Sequence, residues 1–348
     1  MTIDTLEKTK TSKKTESFDK ITIRGIDKPA TRVALGTWAI GGWMWGGTDD
    51  DLSIRTIQRA IDLGINTIDT APAYGRGHSE EIVGKAIKGK RDKLIIATKV
   101  GLDWTLTEDQ SMVRNASAAR IRKEIEDSLR RLGTDYIDLY QVHWPDPLVS
   151  AEETASTLEA LRKEGKIRSI GVSNYSPDQM DAFRKYAQLS VTQSPYNLFE
   201  REIDKEIMPY AKKHDLVVLG YGALCRGLLS GKMSAERHFE GDDLRKQDPK
   251  FQKPRFEHYL SAVEELKKFA KERYNKSVLA LSVRWMLEQG PTLALWGARK
   301  PEQIDGIADV FGWQLTAQDL KEIDAILERN IPSPVGPEFM APPARKKK

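Results

Sequence analysis

NTIDTAPAYGRGHSEEIVGKAIKGKRDKLIIATKV, residues 66–100, reads as a strand, a helix and a second strand. NTIDT (66–70) is a short run rich in β-branched residues, APAYGRG (71–77) is a turn with two glycines, and SEEIVGKAIK (79–88) spaces its apolar residues as a helix does. LIIATKV (94–100) is then almost continuously apolar. A run without polar alternation fits a strand buried on both faces, which is the condition of a parallel sheet covered by helices.

The same unit recurs on both sides of this stretch. Strand-like runs are VALGTWAI (33–40), NTIDT, LIIATKV, YIDLYQVH (136–143), IRSIGVSN (167–174), LSVTQSP (189–195), LVVLGYGA (216–223) and TLALWGA (292–298). Between them lie amphipathic segments such as DLSIRTIQRAIDLG, SAARIRKEIEDSLRRLG, AEETASTLEALRKEG and SPDQMDAFRKYAQ, several opening on Asp or Ser caps and closing at glycine. Eight such units predict a single-domain (β/α)8 TIM barrel over residues 20–331. A short hairpin, ITIRG and the turn at Asp27–Pro29, is expected before the first strand. A long polar loop, Gly231–Pro254, is expected after the seventh, and a loop of that length in a compact fold is functional or mobile. PEQIDGIADVFG (301–312) and TAQDLKEIDAILER (316–329) read as helices. Residues 1–19 read as a flexible polar arm and 332–348 as a proline-rich basic tail whose cationic end solubilises the terminus.

Composition narrows the function. The 348 residues are 39% hydrophobic and carry 55 basic against 51 acidic side chains. Of the net charge of +4, +3 belongs to the tail, where Arg345 and Lys346–Lys348 face only Glu338, so the body lacks a nucleic-acid binder's basic footprint. One cysteine, Cys225, excludes an intrachain disulfide, and five scattered histidines show no zinc spacing. No stretch approaches a membrane span or a signal peptide's apolar core. A cytoplasmic monomer or weak homo-oligomer, with no metal, is the expectation.

In a barrel of this kind the chemistry gathers at the C-terminal strand ends. The second run ends on Asp69 with Tyr74 five residues on, the third ends at Lys99 and the fourth at His143. Each alone is equally a solvated strand-end residue; together they suit proton donation to an oxygen on which negative charge develops. A phenol titrates near ~10 in water, and a close ammonium favours its phenolate. Lys99 is placed for this, Asp69 to hold Lys99, and His143 to orient a carbonyl oxygen.

DTAPAYGRGHSEEIVGKAI, the lysine of IIATKVG, the histidine of YQVHWPDP, then GVSN and ALWGARKPEQI resemble the aldo-keto reductase superfamily over about residues 20–330. The DTAPAYG, SPYNLFER and ALWGARKP segments are similar to the bacterial branch of NADP-dependent glycerol dehydrogenases and general-stress reductases. The resemblance implies Tyr74 as general acid, with Asp69, Lys99 and His143 completing a tetrad. It further implies an NADP(H) site made by Thr37, Trp38, Ser173, Asn174, Gln193 and Tyr221 at the nicotinamide. Gly222, Leu224, Arg226 and Gly227 would lie at the pyrophosphate, and Gly297, Arg299 and Gln303 near the 2′-phosphate and adenine. Pro301 is expected to open a helix whose start favours an anion beside Arg299 and Lys300, although Lys300 alone reads better as part of a solvated turn. Ile307 stands where many members carry an adenine-contacting asparagine.

Trp38, Trp43, Trp45, Trp104 and Trp144 lie at or just past strand ends, so they are expected as apolar walls of a substrate pocket, each alone being equally a packing residue. The implied reaction is reduction of a small aldehyde or ketone, or oxidation of the matching polyol of the glycerol type. Two rivals share the barrel: an NADPH-sensing, non-enzymatic partner subunit, and a Schiff-base aldolase using Lys99.

Overall fold

In a computed structural model of the chain, the structure describes residues 19–345. The expected arm therefore lies outside the described residues but for Asp19, which pairs with Arg284 at 3.0 Å. Lys346–Lys348 lie outside them too.

Strands β1 (Lys20–Ile21) and β2 (Ala30–Thr31) form the antiparallel hairpin. The chain then runs β3 (Val33–Gly36), α1 (Asp50–Asp62), β4 (Thr67–Asp69), α2 (His78–Ala86) and β5 (Ile95–Val100). A small excursion, β6 (Leu102–Asp103) paired with β7 (Val113–Arg114), precedes α3 (Ala118–Leu132) and β8 (Ile137–Val142). Next come α4 (Ala151–Lys163), β9 (Ile167–Ser173), α5 (Pro177–Arg184), β10 (Val191–Pro195), α6 (Ile207–His214) and β11 (Val217–Tyr221). After the insertion follow α7 (Arg255–Tyr274), α8 (Val278–Glu288), β12 (Thr292–Gly297) and α9 (Ala317–Asn330). The eight long strands close a parallel barrel in the order β3-β4-β5-β8-β9-β10-β11-β12. All eight predicted runs are strands of this barrel.

Local signals set the helix ends. Asp49, Ser117, Ser150, Ser176, Ser277 and Thr316 accept from backbone N–H groups in the first turns they cap, and α3 stops at left-handed Gly133. The PEQIDGIADVFG segment differs from its expectation: it forms two short 3-10 turns, Pro301–Gln303 and Asp305–Val310.

Strand alternation divides the core. Ala34, Ile95, Ala97, Leu139, Val191, Leu219, Leu293 and Leu295 fill the barrel, and Ile23 and Ile26 of the hairpin plug its lower end. The outward residues pack under the helices. Because side chains alternate every residue, the inward position two residues above each interior apolar side chain is fixed: Lys99 above Ala97, Gln141 above Leu139, Gln193 above Val191 and Tyr221 above Leu219. The polar cluster at the barrel top is therefore the upward continuation of the barrel's own core. Among the described residues no helix is long and apolar enough to cross a membrane.

Candidate active site

Lys99 is fully buried, and its Nζ donates to Asp69 Oδ2 (2.6 Å), the Thr70 carbonyl (2.9 Å) and Tyr74 Oη (3.1 Å). The Asp69 carboxylate against Nζ favours the ammonium form, whose three hydrogens meet these three oxygens. Burial lowers the lysine pKa and Asp69 acts against that. Held as an ammonium by Asp69, Lys99 has no lone pair for the nucleophilic attack that an aldolase needs.

Tyr74 stands on the 71–77 turn, whose backbone is pressed against the turn after β3. A Cβ at Gly41 would lie 2.6 Å from the Tyr74 carbonyl carbon, so glycine there sets how deeply Tyr74 enters. Its ring stacks on Trp38 (6.1 Å) and meets His143 edge-on (5.8 Å). The expectation that Lys99 pulls the phenol downward is corrected: burial, reinforced by Asp69, holds the Tyr74 pKa well above the usual tyrosine value. The resting phenol is thus protonated, as an acid must be, and Lys99 is placed for the charge left when the proton departs. Burial, then the Lys99 ammonium, keeps His143 well below the usual histidine pKa, so its imidazole is neutral.

Around this centre Ser173, Asn174, Gln193 and Tyr221 converge. Asn174 Nδ2 donates to Ser173 Oγ (3.0 Å) and the His143 carbonyl (3.1 Å), and Tyr221 Oη donates to Asn174 Oδ1 (2.9 Å). Gln193 Nε2 donates to Asp69 Oδ1 (3.0 Å). Thr37 lines the same cavity, and its buried hydroxyl donates to the Asp69 carbonyl (3.0 Å) and accepts from Ser79 Oγ (2.9 Å), which props the strand end.

A cavity of about 1160 Å³ extends from Tyr74 and His143 past Tyr221, Gly222 and Leu224 to Gly297, Arg299 and Gln303. That exceeds what a small substrate fills and suits a dinucleotide beside it. A Cβ at Gly297 would project into open space, so the backbone there is approachable, and Lys232, Arg237, Arg299 and Lys300 line the same groove with positive charge. The residues fit a phosphate-bearing dinucleotide.

Two details of that groove depart from expectation. The Arg226 guanidinium is buried and bound to Glu200 (2.5 Å) and Asp248 (2.5 Å), with Lys250 also on Glu200 (2.8 Å). It clasps three loops together, and Gly222 and Gly227 on either side of it line the cavity. The anion-favouring helix start after Lys300 is a three-residue turn whose Arg299 and Lys300 amides donate to Gln303 Oε1 (2.7 and 3.1 Å). Arg299 donates to the carbonyls of Trp45 (2.9 Å) and Gly47, which orient the guanidinium without cancelling its charge. Ile307 is buried in the core and does not face the groove.

Trp38, Trp43, Trp45 and Trp144 line the cavity. Trp104 does not; it lies behind that wall, packed with the cavity-lining Leu102 and Met112 in the cluster that also holds Trp43, Tyr74 and Trp144, and against the Arg120 guanidinium (5.2 Å). Sequence reading missed the closing wall. The tail runs back over the barrel so that Met340 and Pro342 line the cavity. Arg345, expected as a solvated end, is bound to Asp146 (2.6 Å) and Asn115 (2.8 Å). Among the described residues no three His, Cys, Asp or Glu converge as a metal site requires.

Comparison with known proteins agrees with this geometry. The model of the Aldo/keto reductase family matches residues 32–328. The aldo-keto reductase YhdN of Bacillus subtilis (strain 168) is 60% identical over 332 residues, 94% of this chain and 99% of that protein. The solved glycerol dehydrogenase AKR11B4 from Gluconobacter oxydans superposes with a TM-score of 0.85 at 59% identity, covering 93% of this chain and 99% of that one. An aldo/keto reductase from Klebsiella pneumoniae, solved in complex with NADP and acetate, superposes with a TM-score of 0.69 at 27% identity, covering 93% and 97%.

Proposed function

This chain belongs to the aldo/keto reductase family and is an oxidoreductase acting on carbonyl or alcohol groups; from that premise we propose that it reduces small aldehydes and ketones with NADP(H), and in reverse oxidises polyols of the glycerol type, with Tyr74 moving the proton. The observation that carries this reading is the Lys99 ammonium, bonded at once to Asp69 and to the Tyr74 oxygen.

When bound, NADPH supplies a hydride to the carbonyl carbon. The π electrons of the C=O bond move onto oxygen, and Tyr74 Oη gives that oxygen its proton, so one C–H and one O–H bond form. Lys99 lies against the phenolate that remains, and Asp69 keeps the ammonium in place. Neutral His143, at the same mouth, orients the carbonyl oxygen. A positioned acid of this type contributes about 10²–10⁴ in rate. Asn174, Tyr221 and Gln193 hold the nicotinamide end, and the cations Lys232, Arg237, Arg299 and Lys300 favour the additional phosphate of NADP.

The glycerol dehydrogenase relative and the apolar tryptophan walls support small polyols and their aldehydes as substrates. Steady-state oxidation of NADPH with glyceraldehyde, set beside NADH, tests this directly. Turnover with a clear preference for NADPH is expected. Tight cofactor binding with no multiple turnover on any small aldehyde would instead favour the sensing subunit.

A further inference from the structure

Beneath the tetrad lies a buried amide that the mechanism above leaves unused. Gln141 is wholly buried on β8, level with Lys99 on one side and Gly171 on the other. Its Nε2 donates to Asp69 Oδ1 (3.2 Å), and its Oε1 accepts from Gln193 Nε2 (3.2 Å), which also donates to Asp69 Oδ1 (3.0 Å). A carboxylate only accepts, so both amides must turn nitrogen toward Asp69. Gln193 then has both hydrogens engaged inward, and its Oε1 accepts from no group among the described residues. The fit is tight: a Cβ at Gly171 would come within 2.8 Å of Gln141 Cγ, so β9 leaves room for this side chain only by carrying glycine there.

We propose that Gln141 is a positioning residue with two outputs: it fixes the Asp69 carboxylate so that Oδ2 faces Lys99, and it turns the Gln193 carbonyl toward the nicotinamide carboxamide. This rests on the reductase reading above. One amide then couples the seating of the cofactor to the ammonium beside the acid.

Removing the amide has a signed consequence. Lys99 faces Asp69 on β4, the Thr70 carbonyl and Tyr74 just beyond it, and His143 at the end of β8, with Glu80 on α2 as a further charged neighbour and Tyr221 on β11 interacting with Tyr74. When Asp69 is held by one donor fewer, it swings from Lys99 and the ammonium loses its proton at lower pH. In Gln141→Met the alkaline limb of kcat therefore moves down by about one pH unit. The dissociation constant for NADPH, read by tryptophan quenching, rises roughly 3- to 10-fold. Gly171→Ala displaces the same side chain without altering its amide and shifts both readings in the same direction, which keeps the test open if Gln141→Met fails to fold. Folded variants with wild-type NADPH affinity and an unmoved pH profile would overturn the assignment. A wild type that neither binds NADPH nor turns over would overturn the reductase reading itself, and this assignment with it.

Discussion

Lys99 and Tyr74 separate two consequences that a shared site would otherwise confuse. Replacing Lys99 by Met strands Asp69 as a buried charge, so it removes turnover and also costs about 3–5 kcal/mol of stability. Urea denaturation beside an activity assay checks this; a Lys99→Met protein as stable as the wild type would contradict the buried pair. His143 carries a pH signature. Its folded pKa lies below the 6.5 of the free side chain, so below about that pH the unfolded chain takes up a proton that the folded one refuses. Stability therefore falls as pH drops from about 7 to about 5, and His143→Gln flattens that slope in melts taken across the range. Asp69, Tyr74, Lys99 and His143 were legible in the sequence because a barrel puts its chemistry at strand ends. Gln141 was not, because inside YIDLYQVH it reads as one more residue of a buried run; its place two residues before His143, on the same face, was the signal available.

The insertion after β11 read as a polar loop, and at the scale of elements it is a fastening. Asp242 accepts from the Met44 and Gly46 amides (2.7 and 3.0 Å), so the insertion bridges to the turn after β3. Cys225 and Arg226, both with positive φ, hold an arrangement that L-residues rarely keep; Glu200 and Asp248 anchor it through the Arg226 side chain. These partners lie 22 and 26 residues from Arg226, and no local pattern links them, which is why a phosphate ligand was the natural reading of that arginine. Glu200→Gln leaves Arg226 and Lys250 short of a counter-charge. We expect a melting temperature several degrees lower and a weaker hold on NADPH, with turnover at saturation less affected, measured by calorimetry and steady-state kinetics. Unchanged cofactor affinity would mean that the clasp does not shape the groove.

At the scale of the whole molecule, the repeat of buried run, turn and amphipathic segment made the barrel and its hairpin readable. The tail was not, because prolines restrict a chain without selecting its path. Its course depends on contacts remote in sequence: Lys250 to the Gly336 carbonyl (3.1 Å), Arg114 to the Pro342 carbonyl (2.9 Å) and Arg345 to Asp146. Ending the chain after Ile331 removes Met340 and Pro342 from the cavity wall. We expect KM for glyceraldehyde to rise by about 3- to 10-fold while kcat stays within about twofold, since the tetrad is untouched. A fall in kcat with unchanged KM would place the tail in the chemistry instead. The central claim is that Tyr74 delivers the proton, and its most direct test is NADPH oxidation with glyceraldehyde by the wild type and by Tyr74→Phe, with folding and NADPH binding measured in both. Turnover by the wild type and its near loss in a folded, NADPH-binding Tyr74→Phe protein is the predicted result; full activity in that variant would contradict it.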